Sequence, residues 1–136
     1  MTRALFHYAC FLVCAFFVAG SLSVAAQPTG SALQKFPDVI EAKVQPSGTD
    51  IFNFDVTVSS IYDTPQRYAD GFRVMGKDGQ VYGVRKLVHD HEDEQPFTRD
   101  LYFVKIPKGV RVVVVQARDQ KYGYGGKTVE VALPGR

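Results

Sequence analysis

The sequence predicts an all-β domain, built as an antiparallel two-sheet sandwich of about seven strands. Apolar and polar residues alternate with a period of two over several short runs, which is the pattern of half-buried strands. Clusters rich in Gly, Pro and Asp separate these runs, as turns separate strands. No segment shows a sustained 3.6-residue apolar period with helix caps, so we expect no helix of any length.

Seven runs carry the strand pattern, and in chain order they are residues 40–45, 52–59, 72–74, 80–88, 97–104, 110–117 and 128–133. The first two lie on either side of the turn cluster PSGTD, and the second shows the clearest alternation in the chain. The third and fourth are joined by GKDG, in which Asp78 and Gly79 form the dipeptide expected at the tip of a tight hairpin.

The last three runs follow an acidic stretch that ends at Pro96. The sixth run is almost continuously β-branched, as expected of a strand covered on both faces. The seventh follows the Gly-rich connection RDQKYGYGGK. An immunoglobulin or fibronectin type III sandwich is the expected architecture, and periodicity alone leaves a small closed barrel open. The residues expected in the core are Phe52, Phe54, Val56, Val58, Phe72, Val74, Val112, Val114, Val129 and Val131.

Residues 1–26 predict a secretory signal peptide. Arg3 gives a positive start, an apolar run follows, and the small residues ending at Ala26 form a cleavage signal. The apolar run is short for a bilayer span and is followed by small residues, which disfavours a retained anchor. We therefore expect a periplasmic or secreted protein with a flexible arm at residues 27–37 and a sandwich domain at residues 38–136.

Cleavage at that position would remove both cysteines, Cys10 and Cys14, so the domain would depend on its hydrophobic core. Neither cysteine follows a Leu-Ala-Gly-like triplet, so lipid attachment is not expected. The chain contains 16 Lys and Arg against 14 Asp and Glu, a balance that does not favour binding to nucleic acid or to an anionic membrane. We expect a monomer with no stable membrane insertion after cleavage.

The stretch LVHDHEDEQPF, residues 87–97, is the candidate metal site. His89 and His91 would share one face of an extended segment, and Glu94 could add an oxygen ligand. Such a ligand set suits zinc, copper or nickel, whereas the spacing of a twelve-residue calcium loop is absent. No cofactor is predicted other than a divalent metal at this site. The sequence favours a simpler interpretation, a hydrated acidic loop at a strand end neutralised by Arg85, Lys86 and Arg99, with the metal site as the alternative.

The segment KYGYGGK, residues 121–127, is the candidate ligand-binding surface. Glycine permits close approach of a partner, and tyrosine offers a flat amphipathic contact. We predict Tyr122, Tyr124 and Arg99 as ligand-binding residues, although the tyrosines could instead lie on their own strands. The leading hypothesis is a non-catalytic exported module that binds a protein or another extracytoplasmic ligand.

An enzyme is not expected, because the sequence shows no G-x-S-x-G elbow and no assembled nucleophile–base pair. A hydrolase that uses His89 or His91 as its base is the remaining alternative, and no catalytic residue is predicted.

Three segments in this order, YADGFRV, LVHDHEDEQPFTRDL and ARDQKYGYGGKTVEVALP, resemble a family of small, uncharacterised exported bacterial proteins. The resemblance covers roughly residues 39–134. It implies an exported sandwich and transfers no activity. The family's signature has equivalents of His89, His91, Glu94, Gln95, Pro96, Phe97, Thr98 and Arg99.

Overall fold

A computed structural model describes residues 34–136 of the chain. The predicted signal peptide, and residues 27–33 of the predicted arm, lie outside this range. Eight strands and one 3₁₀ turn at Glu92–Glu94 make up the described part. The strands are β1 Asp38–Gly48, β2 Ile51–Ser59, β3 Ala69–Gly76, β4 Val81–Lys86, β5 Phe97–Lys105, β6 Val112–Asp119, β7 Gly123–Tyr124 and β8 Val129–Ala132.

The strands form two antiparallel sheets, which confirms the predicted sandwich. One sheet has the order β1-β2-β5, and the other has the order β4-β3-β6-β7, with β8 also paired to β6. The first, second and fifth strands thus face the third and sixth, as in immunoglobulin constant domains. The fourth strand differs from that arrangement because it pairs with β3. Because the two sheets are separate hydrogen-bonded ladders in residues 34–136, the closed barrel is excluded.

The hydrophobic core lies between the two sheets. Strand β2 points every second residue inward, and this alternation buries Phe52, Phe54, Val56 and Val58 as predicted. Phe72 and Val74 of β3 are also fully buried, and they meet these side chains in one continuous cluster. The core therefore supplies the stabilisation that the predicted mature domain cannot take from a disulfide.

The prediction for the sixth strand is wrong by one residue. Val113 and Val115 of β6 face the core, whereas Val112 and Val114 face outward and are half-buried. The run is β-branched throughout, so its sequence contains no alternation from which the phase could be read. In β8 the inward-facing residues are as predicted, with Val131 buried and Val129 partly buried against the core.

The hairpin between β3 and β4 has the predicted turn. Gly79 has a φ of 85°, a conformation that L side chains rarely adopt. The backbone N–H of Gly79 donates to the carbonyl of Gly76 at 3.0 Å, and the Asp78 carboxylate accepts the N–H of Gln80 at 3.1 Å. The Asp-Gly dipeptide thus fixes the register of β4 against β3.

Three connections, residues 60–68, 87–96 and 120–128, meet at one end of the sandwich, here called the loop end. Hydrogen bonds join the first connection to the second between Asp63 and His91, and to the third between Tyr68 and Gln120. Residues 34–37 enter β1 at the same end, where the Gln34 side chain donates to the carbonyl of Ser59 at 3.0 Å. Both segments singled out from the sequence, 87–97 and 121–127, therefore lie at the loop end.

Within residues 34–136, no helix has the length and apolar character needed to cross a membrane.

Candidate metal centre at the loop end

The connection 87–96 is fixed at both of its ends. The N–H of Leu87 donates to the carbonyl of Asp70 at 2.9 Å, and the Leu87 side chain is buried. At the other end the Gln95 side chain accepts the N–H of Ser60 at 2.8 Å and donates to the hydroxyl of Ser60 at 3.1 Å. The Gln95 amide also donates to the carbonyl of His91 at 3.1 Å. The histidines are therefore carried on a connection with a defined path.

His91 is buried inside this connection, and only 2% of the residue is exposed. Its ring stacks on Phe97, with 3.8 Å between centroids and 13° between the planes. The ring of the exposed His89 lies 5.0 Å from it, centroid to centroid. The backbone N–H of His91 donates to the Asp63 carboxylate at 3.1 Å. Packing and backbone bonding thus hold the imidazole in one orientation.

Neither ring nitrogen of His91 has a hydrogen-bond partner among the protein groups of residues 34–136. Nδ1 lies 3.7 Å from Oδ2 of Asp63, and Nε2 lies 3.9 Å from Oε1 of Glu94. A buried polar atom without a partner costs about 1–3 kcal/mol, so such atoms in native proteins are exceptional. The buried imidazole can therefore bind a ligand, because residues 34–136 supply no hydrogen bond to either of its nitrogens.

Ligand atoms of His89, His91 and Glu94 all lie within 4.8 Å of one another. Zinc binds imidazole nitrogen and carboxylate oxygen at about 2.0–2.2 Å, which in a tetrahedral site separates the ligand atoms by about 3.3 Å. Closing the group onto an ion therefore requires movements of up to about 1.5 Å. His89 and Glu94 are exposed and can make these movements by rotating their side chains.

Arg99 neutralises Glu94 in this structure. A guanidinium N–H of Arg99 donates to Oε1 of Glu94, and another donates to the carbonyl of Thr98 at 2.8 Å. The hydrogen bond from Arg99 holds the pKa of the Glu94 carboxyl below its usual value. The carboxylate is therefore ionised at neutral pH, as a metal ligand must be.

The imidazole of His91 also favours the ligand form. Burial lowers the pKa of His91 below its usual value, and the nearby charge of Arg99 lowers it further. A neutral imidazole keeps a lone pair on one ring nitrogen, which is the form that binds a metal.

The predicted metal residues lie close together, but not on an extended segment as expected. They lie in an irregular connection and a 3₁₀ turn, with His91 facing inward and His89 facing solvent. Sequence reasoning also missed Asp63 and Gln95, which fix the backbone around His91. In the sequence, only the family resemblance pointed to Gln95. Asp63 is 28 positions from His91, so no local spacing could have identified it.

The predicted ligand-binding residues do not form one group. Arg99 contacts Glu94, whereas Tyr122 packs edge-on against Phe36, with 6.3 Å between ring centroids. The ring of Tyr124 lies 3.9 Å from the guanidinium carbon of Arg73. Both tyrosines thus contact their own chain, and their role in ligand binding stays a prediction.

The glycines between these tyrosines and β8 accommodate the N-terminal segment. A Cβ atom on Gly125 would lie 2.5 Å from the ring of Phe36. One on Gly126, where φ is 77°, would lie 2.1 Å from the carbonyl oxygen of Pro37. The N–H of Lys127 donates to the Asp38 carboxylate at 2.7 Å. The connection 120–128 therefore serves as a cradle for residues 36–38.

A cleft of about 400 Å³ lies beside Tyr124 on the five-stranded sheet. Its lining includes the ion-paired Arg118 and Asp70 and the apolar side chains of Val84 and Val88. Of the three predicted ligand-binding residues, Tyr124 is thus the one that lines this cleft.

Over 94 residues, 69% of its length, the chain is 35% identical to a protein of the archaeon Halomicrobium mukohataei described as a "Putative lipoprotein". The chain spans about half the length of this relative, since the matched region is 46% of it. No protein-family model matches the chain, and no solved structure matches it. The description of this longer relative names no ligand, substrate or reaction.

Proposed function

We propose that this protein is an extracytoplasmic β-sandwich module that binds a transition-metal ion, zinc or copper, through His89, His91 and Glu94. One observation carries the proposal, namely the buried His91 imidazole, whose two nitrogens have no hydrogen-bond partner within residues 34–136. Its Nε2 side faces the Glu94 carboxylate, and the His89 imidazole completes the group. A bound ion would give the buried nitrogen the partner it lacks.

The donor set determines the class of ion. Two imidazoles and one carboxylate suit zinc or copper, whereas calcium and magnesium prefer oxygen ligands alone. Three protein ligands leave at least one coordination position for water or an external ligand, unlike the closed sites of structural zinc. The site is therefore suited to reversible binding at the protein surface rather than to holding the fold together.

The location outside the cytoplasm is supported by two independent features. The first 26 residues have the composition of a signal peptide, and the archaeal relative is described as a lipoprotein. We do not extend lipid attachment to this chain, because neither Cys10 nor Cys14 follows a Leu-Ala-Gly-like triplet.

Calorimetric titration of the exported protein with ZnCl₂ and CuCl₂ at pH 7.5 tests the proposal. We expect one ion per chain with micromolar or tighter affinity. His89→Ala should weaken binding at least tenfold, because this exposed side chain supplies a ligand without supporting the core. Glu92→Gln is the matched control, since Glu92 is an exposed acid of the same connection outside the three-residue group.

Binding with equal affinity in wild type and His89→Ala would refute the site, even if an ion binds elsewhere.

A second candidate function is binding of an extracytoplasmic ligand at the cleft beside Tyr124. The cleft combines an aromatic face, the Arg118–Asp70 pair and exposed valines, which is the usual mixture in small-molecule sites. Affinity selection from a small-molecule mixture, with mass spectrometry of the retained compounds, tests it on wild type and Tyr124→Ala, with Tyr122→Ala as the control in the same connection. Compounds retained equally by all three proteins would contradict this function.

A further inference from the structure

We infer that Asp63 is a positioning residue of the metal centre, which holds the His91 ring so that Nε2 binds the ion. This inference rests on the proposed metal binding and deepens it. It adds a fourth residue to the centre, one that touches the ligand His91 rather than the ion.

The two nitrogens of His91 face two different carboxylates. Nδ1 is 3.7 Å from Oδ2 of Asp63, and Nε2 is 3.9 Å from Oε1 of Glu94. Nδ1 therefore faces the buried Asp63 carboxylate, whereas Nε2 faces the exposed carboxylate of Glu94, one of the other two candidate ligands. A shift of about 0.7 Å would bring Nδ1–H to hydrogen-bond distance from Asp63.

The Asp63 carboxylate is itself held in place. It is buried, and its Oδ1 accepts the N–H of Ala69 at 3.0 Å while its Oδ2 accepts the N–H of His91 at 3.1 Å. One lone pair of Oδ2 therefore remains available toward Nδ1–H. Metal-bound histidines commonly donate the second ring N–H to a carboxylate in this way, which fixes the tautomer and the ring orientation.

The charge of Asp63 supports the same arrangement. Among the side chains of residues 34–136, the imidazole of His91 is the group capable of positive charge that lies within 4.0 Å of this carboxylate. A buried carboxylate without a cationic partner is costly. An ion on Nε2 would polarise the imidazole and so place positive charge beside Asp63, which makes ion binding and the buried carboxylate mutually stabilising.

Asp119 offers a matched control. It is also fully buried at the loop end, and its Oδ1 accepts the N–H groups of Lys121 at 2.9 Å and Tyr122 at 2.7 Å. Its charge is neutralised by Arg67 at 3.0 Å, however, and not by a histidine. Asp119→Asn therefore disturbs a buried carboxylate with two backbone bonds without touching the metal centre.

The experiment compares zinc affinity in the exported wild type, Asp63→Asn and Asp119→Asn. We expect Asp63→Asn to weaken Zn²⁺ binding about 10- to 100-fold, the usual effect of losing such a carboxylate, and Asp119→Asn to change it by no more than about twofold. A second measurement does not depend on the variants folding. In ¹⁵N spectra of histidine-labelled wild type with Zn²⁺, the His91 Nδ1 should keep its proton and Nε2 should show the metal shift.

The outcomes separate the two proposals. Absence of zinc binding to wild type overturns both the proposed function and the role of Asp63. Zinc bound through Nδ1 of His91, or equal affinity in wild type and Asp63→Asn, overturns the role of Asp63 and leaves the metal-binding function standing.

Discussion

At the scale of single residues, His91 occupies a position where an apolar ring would pack without penalty. Its ring lies flat on Phe97 and is buried, yet neither nitrogen has a hydrogen-bond partner in the described part of the chain. Stability alone does not account for such a residue, because the cost of the unpaired nitrogens is avoidable by substitution. A role as metal ligand would explain this residue, because a functional residue can be retained at the expense of stability.

His91→Phe should therefore separate stability from metal binding. We expect the free energy of unfolding of the metal-free protein to stay unchanged or to rise by about 1 kcal/mol, because the substitution removes two unpaired buried nitrogens. Zinc binding should be lost. Urea unfolding with a chelator present, together with calorimetric titration, measures both effects. A loss of more than about 2 kcal/mol would show that the ring nitrogens make stabilising bonds.

The lowered pKa of His91 predicts a pH dependence of stability. Because the pKa of His91 is lower in the folded chain than its unfolded value of about 6.5, the unfolded chain binds the proton first as the pH falls. The contribution of His91 to the free energy of unfolding is thus fully present above pH 6.5. It is lost as the pH falls from there toward the pKa of His91 in the folded chain. The pKa of Glu94 is also lowered, below its usual value of 4.5, so this carboxyl affects the free energy of unfolding only at lower pH.

Urea unfolding of metal-free wild type and His91→Phe at pH 7.5 and pH 5.0 tests this dependence. The wild type should lose more stability between the two values than the variant, which has no imidazole at position 91. Equal losses in the two proteins would contradict a lowered pKa.

At the scale of elements, the cradle for the N-terminal segment explains the glycines of the connection 120–128. From the sequence, these glycines and tyrosines suggested a surface open to a partner. In the fold, Gly125 and Gly126 leave room for Phe36 and Pro37 of the same chain. The composition of the loop was visible in the sequence, but the segment it accommodates is about 90 residues away and no periodicity connects the two.

Gly126→Ala and Gly123→Ala test the cradle as a matched pair. Both glycines have positive φ, 77° and 81°, so both substitutions carry a similar backbone strain of about 1 kcal/mol. Within residues 34–136, a Cβ on Gly123 would have no neighbouring atom within 4 Å, whereas one on Gly126 would strike the carbonyl of Pro37. We expect trypsin to cut after Lys35 faster in Gly126→Ala than in Gly123→Ala. Equal rates would show that residues 36–38 are not held by this connection.

The strands show the same division between what sequence predicts and what it does not. Where apolar and polar residues alternate, as in β2, both the strand and its inward face follow from the sequence. In β6 the strand was predictable but its phase was not, since every residue of the run suits either face. Local chemistry also predicted the Asp78-Gly79 hairpin correctly.

At the scale of the whole molecule, seven of the eight strands and the two-layer architecture follow from periodicity and turn spacing, whereas β7 lies in a segment that the sequence predicted as a Gly-rich connection. The pairing of β4 with β3 and the meeting of three connections at the loop end do not follow from these patterns, because they depend on contacts between distant segments. The candidate site shows this most clearly. His89, His91 and Glu94 are adjacent in sequence, whereas the burial of His91 and its contact with Asp63 require the folded sandwich.

Metal binding should also stabilise the whole domain, because the group exists only in the folded chain. At a free zinc concentration 100 times the Kd, the free energy of unfolding should rise by about 2.7 kcal/mol. For a domain of this size, that corresponds to a rise in Tm of roughly 10 °C. Thermal unfolding with and without ZnCl₂ measures the effect, and His89→Ala, with binding weakened at least tenfold, should remove about half of it or more. A Tm that does not respond to zinc in wild type would contradict a site specific to the folded state.

The location of the ion is the most direct measurement. Crystals of the exported protein grown with ZnCl₂ would be recorded on both sides of the zinc absorption edge, so that an anomalous difference map identifies the metal. We predict one strong peak about 2.0–2.2 Å from Nε2 of His91, from an imidazole nitrogen of His89 and from a carboxylate oxygen of Glu94. Zinc density at other surface positions, with none among these three residues, would contradict the proposed centre.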